Sequence, residues 1–99
     1  MSQLQVRAPA ESDIADAVAW YDRQADGLGA EFIRALDASF ASILRAPESY
    51  PVVHGEIRRA LLRRFPYAVF YLLRDDAVIV IACLHGRRHP RRWQGRGAE

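Results

Sequence analysis

Residues Tyr67–His85 read YAVFYLLRDDAVIVIACLH. Two apolar runs, YAVFYLLR and AVIVIACLH, flank the pair Asp75-Asp76. Both are rich in β-branched and aromatic side chains, and neither has the 3.6-residue spacing of a helix. Adjacent aspartates between such runs mark a tight turn, so the stretch predicts an antiparallel hairpin. The second run is apolar at odd and even positions alike. That pattern places it inside a sheet that is covered on both faces for part of its length.

Working outward, Ile57–Phe65 (IRRALLRRF) predicts a further strand that Pro66 ends, which completes a three-stranded meander. Pro51–Gly55 reads as loop. Upstream the period is helical. Phe32, Ile33, Leu36, Phe40, Ile43 and Leu44 form one apolar stripe, predicting a helix over about 28–46 that Pro47 stops. Ile14, Ala17, Val18, Tyr21 and Ala25 predict another over about 10–25, with Glu11, Asp13 and Asp16 crowding its positive end. Gly27 and Gly29 mark a short link, so the two helices form an antiparallel hairpin. Gln3–Ala8 alternates weakly as an edge strand that Pro9 stops. The expected order is β-α-α-β-β-β: an α+β domain over 1–99, with an antiparallel sheet and the helical hairpin on one face.

The chain has 99 residues, 51% of them hydrophobic, the composition of a folded globule. The N-terminal residues lack the apolar core of a signal peptide, and no run reaches the ~20 apolar residues of a membrane span. A cytoplasmic location without membrane contact is the expectation. The lone Cys83 has no partner for a disulfide and no neighbours at zinc spacing, so it reads as a buried strand cysteine.

Net charge is +2, but its distribution is uneven. Residues 1–50 hold four Arg against eight acids; residues 51–99 hold ten Arg against four. Such asymmetry points to an anionic partner at the C-terminal half. All fourteen basic residues are Arg. Codon usage in a GC-rich genome accounts for this, and so does a use for the planar guanidinium fork against phosphate or carboxylate.

The densest stretch is LHGRRHPRRW, Leu84–Trp93. Together with Arg58-Arg59 and Arg63-Arg64, whose side chains alternate about the strand, Arg87, Arg88, Arg91 and Arg92 form a candidate positive surface. Solvated charge protecting a sheet edge is the plainer reading of the strand pairs. His85 at the strand end either caps that end or, with Tyr67, Tyr71 and nearby arginines, supplies acid–base groups for attack on a phosphodiester. His85 and His89 stand four apart without a carboxylate companion, so no metal is expected. Trp93 reads as a hydrophobic anchor for the tail, with a stacking platform as the alternative. Trp20 borders the apolar stripe of the first helix beside Asp13, Asp16 and Gln24. If exposed, it marks a partner groove. Nothing in the sequence suggests a Gly-rich phosphate loop, a Ser/His/Asp arrangement or a cofactor.

Four ordered motifs carry a resemblance across nearly the whole chain: DIADAVAWYDRQADGLGAEF (Asp13–Phe32), ILRAPESYP (Ile43–Pro51), IRRALLRRFPYAVFY (Ile57–Tyr71) and the Leu84–Trp93 tail. The set resembles the RelE/ParE superfamily of bacterial type II toxins, in its ParE-like plasmid stabilisation branch. The resemblance implies a growth-arresting toxin held in a hetero-oligomer with a cognate antitoxin. Trp20, Tyr21 and Phe32, by their position around the hairpin link, are then expected to border the antitoxin groove. Arg58, Arg63, His85, Arg87, Arg88, Arg91, Arg92 and Trp93, led by the dense basic tail after a buried strand, are expected to meet the cellular target. RelE-type relatives cleave ribosome-bound mRNA with an arginine inside the middle meander strand. Here that strand is YAVFYLLR, with Arg74 only at its end, which favours ParE-type inhibition of DNA gyrase without catalysis. The alternatives are a ribosome-dependent endoribonuclease using His85, Tyr71 and Arg59, and a harmless module that binds an antitoxin.

Overall fold

The computed structural model describes residues 3–88 and 90–98. Strand β1 (Gln3–Val6) leads into helix α1 (Ala8–Gln24) and helix α2 (Leu28–Arg45). Strands β2 (Val52–His54), β3 (Ile57–Leu61), β4 (Tyr67–Arg74) and β5 (Ala77–His85) follow. A single helical turn, α3 (Arg91–Gln94), and a 3-10 turn over Gly95–Ala98 end the chain. The α+β class and the helical hairpin on one sheet face are as expected.

Strand β1 ends at Val6, short of the expected Ala8, and Pro9 sits in the first turn of α1, where its missing N–H costs nothing. Between the helices Gly27 takes the left-handed conformation, φ 82°, that side chains other than glycine disfavour. The Asp22 carboxylate then accepts the Gly29 N–H at 2.8 Å, satisfying an open donor at the start of α2. A Cβ on Gly29 would lie 2.6 Å from that carboxylate, so a larger residue there would displace the Asp22 side chain from its bond to the Gly29 N–H.

The sheet has the order β1-β5-β4-β3-β2. Three features differ from expectation. The sheet is mixed, because β1 runs parallel to β5 through Gln3↔Ala77 to Val6↔Val80. The expected loop over 51–55 contains β2, which pairs with β3 through a turn where Gly55 has φ 55°. Strand β3 stops at Leu61 instead of Phe65. The Leu62 N–H bonds the Tyr67 carbonyl and Arg64 takes φ 71°, so Arg63 and Arg64 lie in a turn.

Strand β5 is buried on both faces. On the helix side Val78, Val80 and Cys83 meet Val69 and Tyr71 of β4, Ala17 and Tyr21 of α1, and Phe32, Leu36 and Ile43 of α2. On the other side Ile79, Ile81, Ala82 and Leu84 meet Phe70, Leu72, Ile57 and Trp93. The register slips by one residue where Phe70↔Ala82 gives way to Tyr71↔Val80. Ile81 and Ala82 therefore share a face, the signature of a β-bulge. The chain's end covers this second face. Trp93 stacks on Phe70 at 4.3 Å between ring centroids, and Gly97 lies so close to Ile57 that a Cβ would approach to 2.6 Å.

Beyond Val80 strand β5 has no neighbour on its β1 side. Side chains satisfy that edge. Asp13, buried on α1, accepts the Cys83 N–H at 3.0 Å. Arg96 donates to the Ile81 carbonyl at 3.0 Å and to the same Asp13 oxygen at 2.6 Å. The two charges are paired with each other, and the Cys83 N–H and the Ile81 carbonyl each gain a partner, the condition under which buried charge is tolerated. Cys83 lies beneath this clasp. Burial, reinforced by Asp13, raises its thiol pKa to about 12, so it stays protonated and inert.

Trp93 is 7% exposed and belongs to the core of the second face. Trp93→Ala should therefore cost ~3–5 kcal/mol, the range for emptying a buried aromatic site. Trp93→Phe, which keeps a ring on Phe70, should lose roughly half of that or less. Urea unfolding monitored by far-UV circular dichroism measures both. Equal stability of Trp93→Ala and the parent protein would contradict the anchoring role.

Candidate anion-binding groove

The stepped edge of β5 borders a depression of the surface. Strand β1 ends at Val6, α1 passes above the uncovered half of β5, and the chain after His85 curls back alongside. A groove of about 660 Å³ opens between them. Cys83, Leu84 and His85 supply residues from the strand; Asp13, Asp16, Ala17, Trp20, Tyr21 and Arg23 come from α1. Pro66 and Tyr67 come from the start of β4 and the residue before it, and Arg87, Arg88 and Arg92 from the tail.

The helix period explains the α1 wall. Asp13, Asp16, Trp20 and Arg23 recur at three and four residues, so they share one face. Trp20 is 48% exposed, unusual for an indole. Its ring meets Tyr21 edge-on at 5.0 Å, and its carbonyl accepts the Gln24 side-chain amide at 3.3 Å. Behind it Tyr21, Phe32, Phe65 and Tyr67 form an aromatic cluster with centroid separations of 4.9–5.9 Å. Burial raises the Tyr21 pKa, with Tyr67 adding to it.

The tail wall is set by His85 and Gly86. The Gly86 N–H bonds the Pro66 carbonyl at 2.8 Å, which turns the chain. The Arg87 N–H donates to His85 Nδ1 at 3.1 Å, so in the neutral ring the proton sits on Nε2. The His85 ring lies 5.6 Å from that of Tyr67. Burial raises the Tyr67 pKa, with Cys83 next in importance, while the Arg88 guanidinium opposes the rise. Its phenol is therefore a neutral hydrogen-bonding group at physiological pH.

Charge decides the character of the groove. Asp13 is already engaged by Arg96, which leaves Asp16 as the lining carboxylate with no such partner among the described residues. Against it stand Arg23, Arg87, Arg88 and Arg92. Among the described residues, none of these four pairs with a carboxylate, whereas Arg64 pairs with Glu31 and Arg74 with Glu56. The site thus presents an excess of guanidinium forks beside an exposed indole, a combination suited to anions that also carry a flat apolar part.

The residues expected from sequence separate into three places. His85, Arg87, Arg88 and Arg92 meet Trp20 and Tyr21 in this groove, so two surfaces expected apart are one. Tyr21 and Phe32, at 8% and 0% exposure, lie behind the surface and support Trp20 rather than form a face of their own. Arg58 and Arg63 are elsewhere. The Arg58 guanidinium points to the helix side of β3, donating to the carbonyls of Tyr50 at 2.7 Å and Glu48 at 3.0 Å. It straps the loop before β2 and leaves the continuous positive sheet unformed. Arg63 borders a small cleft with Ala35, Ser39 and Tyr50 beside α2. Arg91 is exposed outside the groove lining, and Trp93 is in the core. The stacking-platform reading of Trp93 is replaced by the anchor, because its face is already against Phe70.

The trio His85, Tyr71 and Arg59 does not converge. Tyr71 is fully buried, its hydroxyl donates to the Pro47 carbonyl at 2.6 Å, and burial lifts its pKa to about 12 despite Arg58 nearby. Arg59 pairs with Phe70 across the strands, on the sheet face away from Tyr71. His89 lies outside the described residues. Among the described residues no group of three or more His, Cys, Asp or Glu is placed to hold a metal ion, and no helix is long and apolar enough to cross a membrane. The sequence reading missed Arg23 and Arg96. Arg23 had a signal, since it stands one helical turn after Trp20. Arg96 had none, because its partner Asp13 is 83 positions away.

Comparison with known proteins agrees with this architecture. A solved structure, "Chromosomal ParDE TA system from P. aeruginosa", superposes with a TM-score of 0.77 at 11% identity, covering 86% of this chain and 96% of that one. At that identity the likeness is one of fold. In sequence, "Toxin ParE2" of Mycobacterium tuberculosis, from strains CDC 1551 / Oshkosh and H37Rv, is 29% identical over 89 residues, 89% of this chain and 85% of the relative. The family model for the ParE toxin of the type II toxin-antitoxin system, parDE, matches residues 4–90. With most of its length matched, from the middle of β1 to the turn after β5, the chain belongs to the ParE toxin family of type II toxin–antitoxin systems.

Proposed function

We infer that this toxin arrests growth by inhibiting DNA gyrase, and that the groove between α1 and β5 is the surface it uses. The observation that carries the reading is the cluster of Arg23, Arg87, Arg88 and Arg92, unpaired with carboxylates among the described residues and set beside the exposed Trp20. A protein that held these guanidinium groups only for solubility would have no reason to converge them on one concavity. Guanidinium groups that converge on one concavity can engage a single anion together, each planar fork matching its oxygens two at a time. Inhibition by occupancy requires no acid–base pair. It therefore fits a site in which Tyr71 and Arg59 are not available to assist His85.

A cognate antitoxin neutralises the toxin in a cytoplasmic hetero-oligomer by direct contact. Two features support this. Membership of a toxin–antitoxin family supplies the partner, and the exposed Trp20 offers the kind of aromatic anchor around which protein interfaces concentrate their energy. An acidic, amphipathic antitoxin segment matches both the indole and the flanking arginines.

Two experiments follow. Arg87→Ala, Arg88→Ala and Arg92→Ala combined should abolish growth arrest on induction, with far-UV circular dichroism and unfolding midpoint unchanged. Supercoiling and mRNA integrity assayed separately in the same cells distinguish gyrase inhibition from nuclease action. Undiminished toxicity of the folded variant, or mRNA loss that disappears in His85→Ala, would overturn the reading. For the antitoxin, Trp20→Ala should weaken the complex at least tenfold by calorimetry, as expected of a central aromatic contact. Unaltered affinity would move the interface away from α1.

A further inference from the structure

We propose that the α1–β5 groove is a binding site for a nucleoside phosphate, with the base against Trp20 and the phosphate among Arg87, Arg88 and Arg92. The inference rests on the contents of the groove and does not depend on the identity of the cellular target.

Three kinds of group line the cavity, and a nucleotide presents the complement of each. The first is a flat apolar surface. Trp20 is 48% exposed and held edge-on against Tyr21, so the indole is a supported platform. Stacking of a base on such a ring is worth ~1–3 kcal/mol and tolerates any base, since every base has a π-face. The second is the set of guanidinium groups, whose planar forks match phosphate oxygens two at a time. The third is Asp16, one helical turn before Trp20 on the same face of α1 and the lining carboxylate that Arg96 does not engage. A carboxylate beside anion-binding arginines is a liability for a purely acidic ligand. For a nucleotide it is an acceptor for sugar hydroxyls or for the amino group of a base. Tyr67 adds a neutral phenol to the lining.

Size agrees. A cavity of about 660 Å³ lies within the ~300–1,000 Å³ typical of small-molecule sites. Pro66 and Tyr67 contribute to its lining. The clasp of Asp13 and Arg96 keeps Asp13 neutralised, so the groove retains its positive excess.

The chemistry has two sources, a free nucleotide and one nucleotide of a single strand. The test uses the full chain carrying Trp93→Phe, which leaves Trp20 as its only indole. Adenosine triphosphate, adenosine monophosphate and a six-base single-stranded oligonucleotide are titrated at low salt, with Trp20 fluorescence and calorimetry as readouts. The expected result is saturable quenching. Affinity should be at least tenfold above that for inorganic pyrophosphate and for adenosine, and should fall at least tenfold in Arg88→Ala with Arg92→Ala. Tenfold tighter binding of the oligonucleotide than of either mononucleotide identifies a single strand as the source; the reverse identifies a free nucleotide. Either supports the proposal. Equal affinity for pyrophosphate, binding that survives loss of both arginines, or tighter binding of a poly-glutamate peptide that displaces the nucleotide would each overturn it. These outcomes are read in solution, so they stand apart from success or failure of the growth-arrest experiment.

Discussion

A carboxylate from the first helix and a guanidinium from the last turn meet over the unpaired half of β5, and the working surface depends on that meeting. Parallel pairing with β1 ends at Val80, and beyond it the Ile81 carbonyl and the Cys83 N–H are met by side chains instead of a strand. Left alone, that edge would be open to pairing with another chain. Asp13 and Arg96 satisfy it and, in doing so, join residues 83 positions apart. The same contact brings the end of the chain back past the sheet, while Trp93 and Gly97 pack under it. Residues 87–92 lie between β5 and Trp93. Holding both ends restricts where their arginines can go.

The clasp also separates two kinds of positive charge. Arg58, Arg64, Arg74 and Arg96 serve structure, because each is bound to a carbonyl or carboxylate of its own chain. Arg23, Arg87, Arg88 and Arg92 share the groove and have no carboxylate partner among the described residues. The net charge of +2 conceals this division. The cost of bringing like charges together is offset in part by Asp16, and an arriving anion would relieve the rest. A surface of that kind is preorganised for a ligand and gains little from self-association.

Much of the fold was legible because local signals agreed with the final structure. The stripe of Phe32, Leu36 and Ile43 and the two-faced burial of Ala77–His85 follow from periodicity alone. The link between the helices was marked by Gly27 and Gly29, which break the helical period. What was not legible is long-range or too short to carry a period. Strand β2 has three residues and no alternation to detect. The parallel pairing of β1 depends on where two helices return the chain. The end of β3 at Leu61 depends on a turn at Arg64 with positive φ, which the arginine sequence does not signal. In the site, Trp20 and the tail arginines were recognisable by residue type. Their convergence was not, because it is set by the bulge and by Arg96, and neither has a local sequence mark. Tyr71 and Arg59 looked available only because strand alternation alone does not report the carbonyl of Pro47 or the opposite sheet face.

Amide hydrogen exchange on the Arg96→Gln protein tests the clasp most directly. Glutamine keeps a hydrogen-bonding head but removes the charge that Asp13 requires. If the clasp orders the groove, exchange should accelerate together at the Cys83 amide and at the amides of Gly86 and Arg88, with β3–β4 protection unchanged. Acceleration confined to residues near position 96, with Cys83 and the tail amides as protected as in the parent chain, would contradict the account.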